Sequence, residues 1–382
     1  MTEFDVVVIG GGIAGVSAGY HLAPEHRVLL LEQEPTLAYH TTGRSAAMFV
    51  INYGAQGVRP LASASEGFLM RPPDDLVDQP LLKPRPVLWV ARHHQAAELE
   101  AIIEEGRAFG TRHLSPQEAR QLVPELISGI HVGAAYEEHA SEIDVAALHQ
   151  AFVRGMRRHQ AELHKSSRVI SIERVEEGWR VKTGGGDVVS CRMVVNAAGA
   201  WGDPVATLAG VRPLGLTPLR RTAFMAPGDP AWSDWPMLIN VGNDFYLKPD
   251  GAQLLCSLVD ETPSPPGDAR PVMEDVALAI DAINEATTIG IRTVNSSWAG
   301  LRTFAPDRDM VIGEDPDSAG FYWLVGQGGT GIQCAPAYGA LLAALIGGKT
   351  PPVDPTPYSP TRLRTQLSQE VQEGLHDRQV LE

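Results

Sequence analysis

Glycines at positions 10, 12 and 15, in the run Gly10-Gly11-Gly12-Ile13-Ala14-Gly15, follow one apolar stretch and open another. Glycine at these places allows a tight turn, close approach of backbone to a pyrophosphate, and close contact between helix and sheet. The helix start then offers free N–H groups and the positive end of its dipole to phosphates. Glu32, 17 residues beyond Gly15, ends a second apolar run. There, beside Gln33, a carboxylate can accept hydrogen bonds from ribose hydroxyls. Strand, helix, strand and acidic residue in that order make this a dinucleotide site rather than a glycine-rich turn.

Three further runs extend the reading. His40-Thr41-Thr42-Gly43-Arg44-Ser45-Ala46-Ala47 offers small, hydroxylated and glycine residues with one arginine. It suits a loop around a second phosphate or a flavin edge, and it also reads as a capped helix start with no ligand. In Asn196-Ala197-Ala198-Gly199-Ala200-Trp201 a strand meets a small-residue turn, and Val169 opens a strand nearby; both are expected to touch the cofactor. Near the C-terminus, Gly326, Gly328 and Gly331 repeat the glycine spacing, but no second strand with an acidic end follows. A separate nicotinamide site is therefore not expected. The helix after Gly331, reached through Gly329, Thr330 and Ile332, is expected to aim its N-terminus at a flavin, where the dipole stabilises an anionic reduced ring.

The elements that must position these residues are legible in outline. Residues 6–9 and 28–31 read as buried parallel strands joined by a helix over 13–22. Helical patterns follow at 95–108, 116–123, 144–160, 273–285 and 334–346. Strand-like runs lie at 169–172, 179–182, 193–196, 216–226, 245–249, 253–258 and 321–326. This predicts an α/β fold: a Rossmann-like FAD-binding domain with an inserted, β-rich substrate domain. The expected division gives 1–50, 141–215 and 300–382 to the first and 51–140 and 216–299 to the second.

GGGIAG after a strand, HTTGRSAA, NAAGAWGD, WAGLRTFAPD and GQGGTGIQ, in that order, resemble the D-amino-acid oxidase and glycine oxidase superfamily of FAD enzymes. Within it the chain is most similar to bacterial D-amino-acid dehydrogenases of the D-arginine dehydrogenase type. The resemblance covers roughly 1–350 and implies FAD held without a covalent link. It also implies oxidation of an amine next to a carboxylate, by hydride transfer to flavin N5. The imino acid would hydrolyse to a 2-oxo acid and ammonia. Arg302, two residues after Gly300 in WAGLRTF, matches the arginine that binds the substrate carboxylate, a grip that suits a planar guanidinium. Arg220 and Arg221 alternate across a strand, so only one can face a cavity; similarity favours Arg221. Tyr53 and Tyr246 are placed over the substrate by the same resemblance, and each also reads as a core tyrosine with a satisfied hydroxyl. Gly329 and Thr330 would present backbone groups to the amine.

Two departures bear on the substrate. D-arginine-type relatives carry a glutamate after the RP of a PRP segment, where this chain has Val87, and a histidine after RSAA, where it has Met48. A buried cation without its carboxylate costs roughly 3–5 kcal/mol. With Met48, Val50 and Val87 as pocket residues, neutral or apolar D-amino acids are expected. An oxidase of N-methyl amines or 2-hydroxy acids, and a non-catalytic FAD-binding protein, remain as competing readings. The acceptor, oxygen or a quinone, is not legible.

Composition bounds the rest. The chain has 382 residues, 44% hydrophobic and 20% charged, enough for two domains with sizeable cores. A net charge of −15 argues against nucleic acid or an anionic membrane surface. Cys191, Cys256 and Cys334 lie far apart and give neither a disulfide framework nor zinc spacing, and the 12 histidines show no metal pattern. His40, His139 and His149 therefore read as surface or core residues, and Trp89, Trp201, Trp298 and Trp323 first as core fillers. Glu3 and Asp5 stand where a signal peptide would carry positive charge, and no run approaches a membrane span. A cytoplasmic setting is expected, at the inner face of a membrane should a quinone be the acceptor.

Overall fold

The two opening apolar runs form parallel strands, Phe4–Ile9 and Val28–Leu31, joined by the helix Ile13–Leu22. The computed structural model describes residues 3–364, so 365–382 of the expected C-terminal segment lie outside the described residues. Successive strand side chains point to opposite faces, and both faces here are covered. Val6, Val8 and Leu30 pack with the helices Ile13–Leu22, Val145–Arg158 and Ala335–Ile346. Val7, Ile9, Leu29 and Leu31 pack in a second core with Trp179, Phe321 and Trp323.

Around this pair grows an eight-stranded sheet. Its pivot is the strand Val188–Asn196, which changes partners along its length. Residues 188–191 pair antiparallel with Gly178–Thr183, and 194–196 pair parallel with Phe321–Val325. On its other side the same strand runs parallel to Phe4–Ile9, with Ile9 opposite Asn196. The first glycine turn and the small-residue turn after Asn196 therefore leave the sheet side by side.

A second sheet of nine strands takes its members from 87–137 and 217–304. Its spine is the strand Thr217–Pro227, which pairs along nine positions with Ser296–Phe304. The boundary expected at 299/300 falls inside this latter strand, which runs through Arg302 as one element. The helix Met273–Ala286 covers one face, over Phe224, Leu238, Leu247 and Cys256. The opposite face carries Val87, Trp89, Met237, Ile239 and Tyr246. A three-stranded sheet of Met48–Phe49, Leu82–Pro84 and Ser141–Ile143 lies between the two large ones in sequence, and Glu142 in it bonds both Arg85 and Lys248.

The helices read from sequence are present within a few residues of their expected ends, at Ala96–Gly106, Pro116–Leu122, Val145–Arg158, Met273–Ala286 and Ala335–Ile346. Several strands were not expected, among them Val87–Arg92, His131–Glu137, Met237–Asn240 and Ser296–Phe304. Met237–Asn240 is a four-residue run and Ser296–Phe304 carries Gly300 and polar residues, so neither has a clear period-two pattern. Among the described residues no helix is long and apolar enough to cross a membrane.

Asp144 caps the helix Val145–Arg158, its Oδ1 accepting the Ala147 N–H at 2.8 Å. Asp144→Ala is expected to cost about 1 kcal/mol of stability, read as a lower denaturant midpoint at unchanged slope.

Candidate active site

The turn after Phe4–Ile9 is shaped by close backbone approach. Gly10 has φ +110°, and a Cβ there would lie 2.5 Å from the Ala197 carbonyl oxygen. At Gly15 a Cβ would lie 1.9 Å from the Gly10 oxygen. Only glycine lets the helix start this close to the sheet. Thr42 Oγ1 accepts the Ile13 N–H at 3.0 Å, and His149 Nε2 is 3.0 Å from the Gly11 carbonyl. The N–H groups of Gly12 and Ala14, on the wall of a cavity, have no acceptor among the described residues. Buried Glu32 accepts from Gly11 N–H at 2.6 Å and Glu34 N–H at 2.8 Å. A carboxylate has about four acceptor sites, so half its capacity is left over.

The cavity, about 250 Å³, runs from these groups in two directions. One end is walled by Gln33, Ser167, Arg168 and Val169. The other passes Ala197, Gly199 and Trp201 to Gly300, Arg302, Gly328, Gly329, Gly331 and Ile332. There it meets a smaller chamber of about 70 Å³. Ser45, Ala46, Tyr246, Arg302, Gly329 and Ile332 line both.

Strand alternation decides which side chains see the smaller chamber. Along Val87–Arg92, Trp89 faces it while Leu88 and Val90 turn to the opposite core; along Met237–Asn240, Met237 and Ile239 face it and Leu238 does not. Met48, Val50 and Val259 complete an apolar wall, and no acidic residue lines it. Val259 holds φ +65°, a strained conformation for a β-branched residue. The two arginines separate by the same rule. Arg221 lines the larger cavity, whereas Arg220 turns to the helix side and pairs with Asp275 at 3.0 Å.

Arg302 Nη1 donates to the Tyr53 hydroxyl at 3.3 Å. Arg221 Nε donates to the Asp260 carbonyl at 2.6 Å, while its buried Nη1 has no partner. Burial, reinforced by the Arg302 charge, brings the Arg221 guanidinium down to about 10, still charged at neutral pH. Burial also works against charge on Arg302, but Tyr53 and Tyr246 more than offset it, and its pKa is raised. The Arg302 charge lowers the Tyr53 pKa against the effect of burial; at Tyr246 burial dominates and the pKa is raised. The centre is thus one buried and one half-buried cation flanked by two phenols, with Asp260 and Glu261 as the counter-charges of Arg221.

Several residues named from sequence stand elsewhere. Gly15 and Gly43 line neither chamber; both are packing glycines, Gly43 beneath the Ala38 carbonyl. Val87 is fully buried two residues before Trp89 on the same face of the strand, and it lines neither chamber. Arg44 lines the larger cavity, while its guanidinium bonds Asp268 and the carbonyls of Ala269 and Ala299. Ala47, Tyr53 and Thr330 line the smaller chamber only. The Thr330 backbone is taken, its N–H by the Gln327 carbonyl and its carbonyl by the Cys334 N–H, whereas the Gly329 carbonyl accepts nothing. A Cβ on Gly329 would lie 2.8 Å from Arg302 Nη1, so glycine is what admits the guanidinium.

Other residues were missed. Trp89 is a chamber wall rather than a plain core filler, and Met237, Ile239, Val259 and Gln333 join it. His40 lines the cavity, 4.7 Å from the Trp201 ring and 3.0 Å from Glu34. Gln333 sits in the quoted GQGGTGIQ run; the rest carried no signal of their own, because facing the chamber depends on strand register.

A family model described as DAO, FAD dependent oxidoreductase, matches residues 5–345. The chain is 24% identical over 384 residues to glycine oxidase of Geobacillus kaustophilus, covering 94% of this chain and 97% of the relative. It is 26% identical over 374 residues to glycine oxidase of Bacillus subtilis, covering 91% and 94%. L-proline dehydrogenase from P. horikoshii superposes with a TM-score of 0.84 at 22% identity, over 96% of this chain and 99% of that one.

FAD is the cofactor of the matched family, and the residues present fit it. The unclaimed N–H groups of Gly12 and Ala14 suit its pyrophosphate and the spare capacity of Glu32 its ribose. Gly15→Ala forces a Cβ against the Gly10 carbonyl. The variant is expected to purify largely free of flavin, read as the ratio of visible to ultraviolet absorbance.

Proposed function

The chain belongs to the DAO family of FAD-dependent oxidoreductases, and from that premise we propose that it oxidises D-amino acids with neutral or apolar side chains. FAD supplies the acceptor for the hydride that leaves the α-carbon. The amine becomes an imine, which water converts to a 2-oxo acid and ammonia. The observation that carries the reading is the Arg221–Arg302 pair beside a chamber with a largely apolar wall, in which Asn243 and Gln333 are neutral polar residues and no acidic residue is present.

Arg302 grips the substrate carboxylate, and the unpartnered Nη1 of Arg221 adds a second donor. Tyr53 and Tyr246 donate their hydroxyls to the same carboxylate and close water out. The free carbonyl of Gly329 accepts from the amine, which orients the α-carbon. No strong general base is required if the amine is neutral when the hydride leaves. The side chain enters the space between Met48, Val50, Trp89, Met237 and Ile239, where a cationic group would lie without a carboxylate. The D configuration and the D-arginine-type kinship are supported by the ordered motifs quoted above.

The test is anaerobic mixing of the flavoprotein with D- and L-forms of leucine, methionine, phenylalanine and arginine, followed by flavin absorbance. Fast bleaching by apolar D-forms with D-arginine slow is expected. D-arginine as the fastest substrate would overturn the chamber reading alone. Bleaching only by N-methyl amines or 2-hydroxy acids would overturn the substrate class, and oxygen uptake against quinone reduction would identify the acceptor. Arg302→Ala is expected to lower kcat/KM by about 10²–10³-fold, the loss typical of truncating a buried charged partner, with Arg302→Lys intermediate.

A further inference from the structure

Glu137 lies on the strand His131–Glu137, opposite Val87, and lines neither chamber. It is buried, yet no cation pairs with it. Instead its Oε1 accepts the Trp89 Nε1–H at 3.0 Å, and the Asn52 amide donates a second hydrogen bond. Asn52 is the neighbour of Tyr53. The Tyr53 ring in turn lies 6.2 Å from the Trp89 ring at 24°, and its hydroxyl meets Arg302.

We propose that Glu137 is a positioning residue for substrate binding, fixing the Trp89 wall and, through Asn52, the turn that carries Tyr53. The inference rests on the smaller chamber being the site of the substrate side chain. Glu137 holds one partner of that ring contact, Trp89, and the chain neighbour of the other, Asn52. With it in place, Trp89 keeps its only polar group turned away, so the substrate side chain meets hydrocarbon. Tyr53 is held at the same time against Arg302, where the carboxylate binds.

The carboxyl group also gives the device a pH signature. Burial pushes Glu137 up to about 7 against the pull of the Trp89 and Asn52 hydrogen bonds. On the flanking strands, Arg112 pairs with Glu138 on the surface and Tyr136 stacks under Arg112; on the adjoining helix, Glu105 pairs with Arg59. Opening the turn would return Glu137 toward 4.5, its value in water. The closed form therefore holds the proton more tightly. Its advantage is complete below about 4.5, falls as pH climbs toward 7, and is level above.

The experiment uses the flavin-loaded protein and its Glu137→Gln, Glu137→Leu and Asn52→Ala variants. Leucine has no acceptor for either donor, so Glu137→Leu is expected to raise KM for the best neutral D-amino acid about tenfold with kcat within threefold. Glutamine keeps an acceptor but cannot titrate. Glu137→Gln is expected to restore most of the binding and to abolish the rise in KM between pH 5 and 7 that the native protein shows. Trp89 emission, obtained by difference from Trp89→Phe, is expected to become more open to acrylamide in Glu137→Leu and not in Glu137→Gln, without any substrate present. A Leu variant with native KM, unchanged quenching and the native pH profile overturns the inference while leaving the reaction standing. Failure of every amino acid to reduce the flavin overturns the reaction, and the quenching comparison still decides the role of Glu137. Should Glu137→Leu not accumulate, Asn52→Ala, with the carboxyl intact, is expected to raise KM three- to tenfold, and a native KM there overturns the link to Tyr53.

Discussion

The site depends on one register. Arg221 stands opposite Gly300, and Leu219 opposite Arg302, across the paired strands Thr217–Pro227 and Ser296–Phe304. That pairing puts both guanidinium groups on the same face, as diagonal neighbours roughly 7–8 Å apart at the backbone. Two like charges at such a distance repel by about 2 kcal/mol at an effective dielectric near 20. Glu261 answers this in part, at 3.4 Å from Arg221 but shared with Arg308 at 2.9 Å, and the Asp260 carboxyl also acts on Arg221. A carboxylate arriving between the pair would relieve that repulsion and desolvate no further cation. A slip of one residue in the register would turn Arg302 to the helix-covered face and leave the cavity with one charge.

The second constraint is how the turns of the first sheet meet the loops that lead to the second. The long strand Val188–Asn196 and the strand Phe4–Ile9 end together, so the turns after Ile9 and Asn196 wall the same cavity. Ser45 and Ala46, after the short helix Thr41–Arg44, and Gly329 and Ile332, before the helix Ala335–Ile346, then line both chambers. The Arg44 guanidinium, bonded to the Ala299 carbonyl, ties that first loop to the strand that carries Arg302. The same residue lines the larger cavity, so it joins the loop to the strand at the cavity's wall.

Legibility follows from whether chemistry is local. The glycine turn, Glu32 and the capped helix after Asp144 are short-range patterns, and they stand where the sequence puts them. The arginine at 302 and the tyrosines were reachable only through resemblance, since nothing local distinguishes a cavity arginine from a surface one. The apolar wall was harder still. Val87 and Trp89 share a face of one strand, and only the position of the chamber along that strand decides between them. Glu137 was invisible because its partners come from a turn and a neighbouring strand far away in sequence.

Carboxylate recognition by itself selects little, because amino acids of either hand, N-methyl amino acids and 2-hydroxy acids all carry the group. The free Gly329 carbonyl adds a demand for a donor, and an amine or a hydroxyl meets it. Handedness needs a third point. With the carboxylate at Arg302 and the amine at Gly329, exchanging hydrogen and side chain on the α-carbon swings the side chain from one side of the plane to the other. In the proposed binding mode the chamber walled by Trp89, Met237 and Ile239 receives the side chain of one hand. On that reading handedness depends on where three elements from distant parts of the chain converge rather than on any one motif.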